Sequence, residues 1–370
     1  MSQTLEQTAA EQILLRLLSG AIRSADVSLE EPVDWPAAMR MAQAQGVTAV
    51  VFEAVERMGQ QQSARHLLPN RALLMQWYSQ TLLISRQQTR HLSLAREIAT
   101  LWAERGLRTI VFKGLAHSRY YPQPAHREFG DFDCFLLDSG GRPAYQRGNE
   151  VARALGLAVE DGWYKHSHII YKGLTIENHQ YFTAARRGGA DKRLNEYLLA
   201  AIGDGSALQR LGDTPLYVLP VEAEGLFMLY HALTHFLVEG IRLRHIVDWA
   251  CWIQANQGQI EWKVFYKQCQ RFRLDGFVDV LNTIAAKHFG VQLHDPAICT
   301  DSPHALRVIA SALHDDTAIY SRSRGRWWER LHVVDNALHS QWKFRDVAHR
   351  SMLAYVGQFV LGFIKRGEGN

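Results

Sequence analysis

The chain has 370 residues, 47% hydrophobic and 21% charged, an ordinary balance for a soluble globular protein of one large or two to three average domains. Its 41 basic and 37 acidic residues leave a net charge of +4, which admits a phosphate-bearing ligand but weighs against stable nucleic-acid binding. The opening MSQTLEQTAAEQILLRLLSG lacks a basic signal-peptide start. No apolar run nears the roughly 18–20 residues that span a bilayer; the longest, YVGQFVLGFI at 355–364, reads as a packed helix, so a cytoplasmic protein is expected.

Residues 1–105 have a helical pattern. EQTAAEQILLRLLSGAI (6–22) keeps its apolar residues on one face, and DWPAAMRMAQAQ (34–45) opens with an Asp cap and an early proline. Residues 71–105 contain neither glycine nor proline, which predicts a spine across the molecule or two helices joined at a kink. From Gly106 the texture changes. LRTIVFKG (107–114) is a short strand closed by glycine, and LAHSRYY is a helical turn or two. After a loop with Pro122 and Pro124, REFGDFDCFLL (127–137) leads into a second strand. PAYQRGNEVARALG (143–156) is an amphipathic helix, and LAVEDG, HSHIIYKG and LTIENHQ are three short strands. Residues 106–185 therefore form an α/β core. Helices return over 186–370, where 221–237 and 241–255 make an antiparallel hairpin turning at Gly240, and the final KRGEGN frays. The fold class is α+β, a small mixed β-sheet core embedded between N-terminal and C-terminal helical regions.

Asp131 and Asp133 stand two apart at the head of an apolar strand, so their carboxylates share a face. Like charges that close raise each other's pKa unless a cation lies between them. Glu177 and His179 alternate onto one face of a later strand. If the two strands are neighbours, three carboxylates converge, an oxygen cage suited to Mg²⁺ or Mn²⁺ with substrate phosphates. Two such ions could clamp the oxygens of a displacement at phosphorus. Lys113 and Arg127 are candidates for phosphate contact, or else pair with Asp131 and Glu128 on the surface. His179 is a packed histidine or one that orients a metal ligand.

Elsewhere the chemistry is sparser. Cys134, Cys251, Cys269 and Cys299 include no C-x-x-C pair, so they read as thiols without a chemical role. His231 and His235 lie four apart on one helix face, without the glutamate base of a zinc protease or an evident third ligand, and read as packed or cleft-lining. Arg244 and Asp248, at the same spacing, read as a structural ion pair. Trp249, Trp252, Trp327 and Trp328 read as helix-packing residues.

FKGLAHSRYYPQP, Arg127, GDFD and TIENH, in this order, resemble the DNA polymerase beta-like nucleotidyltransferase superfamily and, more narrowly, a bacterial family of uncharacterised nucleotidyltransferases. The resemblance spans about residues 70–255 and includes HALTHF and IRLRHIVDWA. It implies a metal-dependent enzyme that moves a nucleoside monophosphate from an NTP such as ATP to a hydroxyl acceptor, a small molecule or a protein, releasing pyrophosphate. Asp131, Asp133 and Glu177 would be catalytic and hold Mg²⁺ or Mn²⁺; Lys113, Gly114, Ser118, Arg127 and His179 would serve the nucleotide. The superfamily's Gly-Ser turn is Gly114-Leu115 here, which leaves its triphosphate contact to Ser118 or Lys113. That departure supports a competing reading, a catalytically silent binding module. A third is a toxin-like modifier of tRNA or a partner protein. Convergence of the three acids on one metal position favours the enzyme, and a salt bridge from Lys113 or Arg127 filling that space favours the silent module.

Overall fold

Thr8, Asp34 and Asn70 each open a helix in the computed structural model, which describes residues 8–29, 33–162, 164–185, 188–238, 240–314 and 339–357. The Thr8 hydroxyl accepts the amide of Glu11, whose carboxylate accepts the amide of Thr8, starting α1 (Ala9–Arg23). Asp34 caps α2 (Trp35–Ala44), and Asn70 caps α4 (Arg71–Ala103). Between these lies α3 (Thr48–Gln60), buried on nearly every side. The long glycine-free stretch is thus one helix of 33 residues, about 50 Å at 1.5 Å per residue. Trp77 roots its first half in the helical core and donates from Nε1 to the Thr48 carbonyl at 3.0 Å. Leu94, Ala95, Ile98, Ala99 and Trp102 root its last third beneath the sheet.

The sheet has seven strands among the described residues, in the order β3-β4-β5-β2-β1-β7-β6. β1 (Arg108–Val111), the short α5 (Leu115–Ser118), β2 (Asp131–Leu137), α6 (Tyr145–Ala154), β3 (Val159–Glu160), β4 (His166–Tyr171) and β5 (Leu174–His179) follow the expected order. The helix α7 (Gly189–Ile202) comes next, then two strands in the stretch read as helical, β6 (Gln209–Arg210) and β7 (Leu216–Val218). They are two and three residues long, too short to show alternation. β7 lies parallel to β1, and β6 pairs antiparallel with β7 to complete the sheet on that side.

One sheet face carries Phe132, Cys134, Leu136, Ile169, Leu174 and Ile176 against α4 and α6. Polar side chains pin the register there. Ser167 Oγ donates to Asn149 Oδ1 at 2.6 Å, and Asn178 Nδ2 donates to the same oxygen at 2.8 Å. Ser167 and Asn178 are direct partners across β4 and β5, and a slip of one residue would turn both out of the core. The opposite face carries Ile110, Phe112, Phe135 and Leu137 toward the C-terminal helices. Phe182 stacks on Phe135 at 4.5 Å and meets Phe112 edge-on at 5.0 Å.

The C-terminal helices pack around the hairpin of α8 (Val221–Val238) and α9 (Leu243–Asn256), with α10 (Trp262–Phe272), α11 (Asp275–Thr283) and α12 (Ala305–His314) around it. Gly225 is needed where α8 meets α9, since a Cβ there would lie 2.4 Å from the Trp252 ring. Trp249 and Trp252 stack at 4.7 Å inside the core, as helix-packing residues should. Trp327, Trp328, residues 358–364 of the long apolar run and the final 365–370 lie outside the described residues. Of the cysteines, Cys134, Cys251 and Cys269 are buried and Cys299 is exposed, all as thiols.

Residues 119–127 tie the sheet to this hairpin through two buried carboxylates. Glu224 of α8 accepts hydrogen bonds from Arg119 at 2.9 and 2.6 Å and from the Tyr120 hydroxyl at 2.6 Å. Asp248 of α9 accepts from Arg127 Nε at 3.0 Å, Arg127 Nη2 at 2.6 Å and the Tyr121 hydroxyl at 2.7 Å. The expected Arg244–Asp248 pair is therefore corrected. Arg127 takes Asp248 in a two-point fork that an i,i+4 neighbour on the same helix does not match, and Arg244 forms no ion pair with it. Burial alone would raise the Asp248 pKa, but Arg127 and His117 outweigh it and hold the carboxyl well below its usual range. The stabilisation this pair provides is present above the unfolded value near 3.9 and is lost as pH falls through the lower folded value. Asp248→Asn should cost about 3–5 kcal/mol in urea unfolding at pH 7, because a buried guanidinium loses its counter-charge. A loss under about 1 kcal/mol would show that the pair does not anchor the loop.

Candidate active site

β2 and β5 run parallel, with Asp131 opposite Thr175, Asp133 opposite Glu177 and Phe135 opposite His179. Odd-numbered side chains of both strands leave on one face, so the aromatic layer gives way to carboxylates toward the start of β2. The expected neighbouring of the two strands holds. One ligand atom each from Asp133, Glu177 and His179 lies within 4.8 Å of the others. Asp131 stands outside that group, at the exposed edge, and lines a cavity of about 610 Å³ with Glu160, His168, Thr175 and Glu177.

The charges are compensated locally. Lys113, just past β1, forms an ion pair with Asp133 Oδ1 and lies 3.8 Å from Glu177 Oε2. His179 Nε2 is 2.8 Å from Asp133 Oδ1 and 3.2 Å from Glu177 Oε2. Carboxylate oxygens only accept, so Nε2 carries a proton and donates to them. Burial by itself would raise the Asp133 pKa; Lys113 and His179 reverse this and hold it far below the normal range. Glu177 is likewise lowered, against its burial, chiefly by the hydrogen bond from His179. Among the described residues Asp131 has no such close partner, and the partial desolvation of its carboxylate, with the charges of Asp133 and Glu177, pushes its pKa up against the pull of Lys113. Burial would lower the Lys113 pKa, yet Asp133 and Glu177 raise it, so the ammonium is retained.

The other sequence-predicted residues sit around this centre in different roles. Gly114 has φ of +34°, and a Cβ there would lie 3.0 Å from Phe129 Cβ, so the turn requires glycine. Ser118 is buried and donates from Oγ to the Leu115 carbonyl at 2.7 Å, back onto its own short helix. Arg127 is buried against Asp248, beneath the Gly114 turn, and also donates to the Glu128 carbonyl at 3.1 Å. Its pairing with Asp248, and that of Lys113 with Asp133, replace the surface pairs with Glu128 and Asp131. Gln88 of α4 exchanges two 3.3 Å hydrogen bonds with the Phe129 backbone and fixes the approach to β2.

Sequence reasoning missed His166 and His168. Alternation along HSHIIY places both on the face of Glu177, and that alternation was the available signal. Burial pushes the His166 pKa down to about 4, although Glu177 pulls it upward. His231 and His235 also gain a third imidazole, His245 of α9, with one ligand atom each within 4.8 Å. The expectation of no third ligand is thereby corrected; the turn between α8 and α9 is what brings His245 across. His245 Nδ1 accepts the Arg242 amide at 3.2 Å and so caps its own helix.

No described helix is long and apolar enough to cross a membrane. No curated protein and no solved structure matches the chain. Over residues 31–290 it matches the family described as uncharacterised nucleotidyltransferase. That stretch takes in the carboxylate–histidine face, the Gly114 turn and both helices that anchor it, and the chain belongs to the uncharacterised nucleotidyltransferase family.

Proposed function

We propose that the protein moves a nucleoside monophosphate from an NTP to a hydroxyl group of a small molecule or protein, with a divalent ion bound at the Asp-x-Asp strand. One observation carries this reading: Asp133, Glu177 and His179 meet beside Lys113 and an open cavity, in a chain of a nucleotidyltransferase family. The donors fit a divalent cation, being two carboxylates that already draw an ammonium toward them. Asp133 and Glu177 would hold it, with Asp131 as a further oxygen ligand at the cavity edge. When bound, Mg²⁺ or Mn²⁺ supplies charge that steadies the phosphates and the oxygens exchanging at phosphorus.

The chain's own groups do the rest. The acceptor oxygen attacks the α-phosphorus, the bond to the β-phosphate oxygen breaks, and pyrophosphate leaves. Glu177 faces the cavity and takes the hydroxyl proton. Lys113 is a point charge on a flexible stem that can swing from Asp133 to a phosphate oxygen. The Gly114 turn lets backbone approach the phosphates closely. His179 holds Asp133 and Glu177 in place from its buried position.

The silent-module reading has its own support, since Lys113 fills the space between the carboxylates and Leu115 replaces the superfamily's serine. Incubation with each labelled NTP, Mn²⁺ or Mg²⁺ and a cell extract separates the two. Label passing to an acceptor, with pyrophosphate released, is expected; NTP binding without transfer under any of these conditions would favour the silent module.

Asp131 and Asp133 should respond in opposite senses. Asp133→Asn removes the partner of a buried ammonium and should cost on the order of 3 kcal/mol at pH 7, besides weakening Mn²⁺ binding sharply. The deficit should shrink as pH falls below about 4, where the unfolded wild-type chain takes up a proton that folded Asp133 resists. Asp131→Asn removes a repelled carboxylate and should leave stability unchanged or raised. Equal losses in the two variants would contradict the charge arrangement described above.

Glu177→Gln should lower turnover by orders of magnitude while NTP affinity stays within a few-fold of wild type, because Glu177 acts as the attacking oxygen gains charge. Undiminished transfer would remove Glu177 from the site.

A further inference from the structure

His166 and His168 leave β4 on the same side that Glu177 occupies on β5. The register sets His168 directly across from Glu177 and His166 across from His179. His168 Nε2 lies 3.5 Å from Glu177 Oε1, and His166 Nδ1 lies 3.7 Å from Glu177 Oε2. One ligand atom from each of the three residues falls within 4.8 Å of the other two. These separations are longer than good hydrogen bonds. They match the spacing of ligands around a single ion, since tetrahedral donors at about 2.1 Å stand about 3.4 Å apart.

We propose that His166, His168 and Glu177 form a seat for a borderline divalent ion of the Zn²⁺ class, adjoining the aspartate position. Two imidazoles and one carboxylate suit Zn²⁺, Co²⁺ or Fe²⁺, whereas Mg²⁺ prefers oxygen donors throughout. The strand geometry makes this seat a consequence of one tripeptide, His-Ser-His, facing one glutamate, with Ser167 turned into the core to hold the register. Access comes from the cavity of about 610 Å³, which His168 and Glu177 line together with Asp131 and Glu160. An ion there stands on the cavity side of Glu177, where the hydroxyl acceptor would approach. The seat shares Glu177 with the transfer site and to that extent rests on the reading given above.

The competing cluster at His231, His235 and His245 is weaker as a ligand set. His245 Nδ1 accepts a backbone amide, which leaves its proton on the other ring nitrogen and disfavours ligation there.

Co²⁺ binding to the full chain, followed by its visible ligand-field bands, tests the proposal without turnover. Wild type should bind one Co²⁺ that Zn²⁺ displaces and excess Mg²⁺ does not. His166→Phe/His168→Phe keeps two rings in place and should weaken Co²⁺ by more than the about 10–100-fold that loss of an outer partner costs. Asp133→Asn should lose Mn²⁺ at the aspartate position yet keep Co²⁺, so failure of the transfer reading leaves this result standing. His231→Phe should leave Co²⁺ binding unchanged. Should the double variant misfold, paramagnetically shifted imidazole N–H signals in wild type count the ligands directly, and two are expected. Unchanged Co²⁺ affinity in a folded double variant, loss of Co²⁺ in Asp133→Asn or His231→Phe, or a count other than two would overturn the proposal.

Discussion

Glu224 and Asp248 are carboxylates buried in the helical hairpin, and each is matched by an arginine and a tyrosine from residues 119–127. This matching is the constraint on which the rest of the molecule depends. A buried carboxylate without a cation costs several kcal/mol, so the loop has one acceptable position once α8 and α9 are packed. The loop in turn spans the gap between the Gly114 turn and Asp131. Position the loop and both sides of the cleft follow: Lys113 at the end of β1, and the aspartates at the start of β2.

The site itself repeats the principle in a weaker form. Asp133 and Glu177 are held side by side by parallel pairing, and their repulsion is offset by Lys113 and His179. Lys113 has a long flexible stem, whereas Arg119 and Arg127 each meet their carboxylate with a planar two-point fork. The arginine pairs at α8 and α9 are therefore stiff scaffolding, and the pair at the sheet end rests on a single point charge. One chain thus contains two kinds of salt bridge, distinguished by the stiffness of the cation.

Much of this was legible in the sequence because local chemistry dictated it. Asp34 and Pro36 marked a helix start, turn residues bounded β4 and β5, and the Asp-x-Asp pair at the head of an apolar run marked β2. The parts that were not legible depended on distant partners or lacked periodicity. β6 and β7, two and three residues long, show no alternation and lie in a stretch read as helical. Asp248 finds Arg127 across 121 residues, where the sequence suggested Arg244 four places away. His166 and His168 meet Glu177 only through the register of β4 on β5, which the sequence does not display. The nucleotidyltransferase family was legible too, and the match over 31–290 extends beyond the residues that first carried the resemblance.

β7 bears on how the chain is made. It pairs with β1 in parallel, yet it lies about a hundred residues later, and Asp248 comes later still. A ribosome-bound chain that has emerged only through β5 already carries every residue of the candidate site. Its first strand nevertheless has a bare edge, and Arg127 has no counter-charge. Such an edge is a template for pairing with other chains. The surroundings of the site are therefore complete only once Asp248 has emerged, and before that the free edge of β1 lacks the cover that β7 gives it in the finished protein.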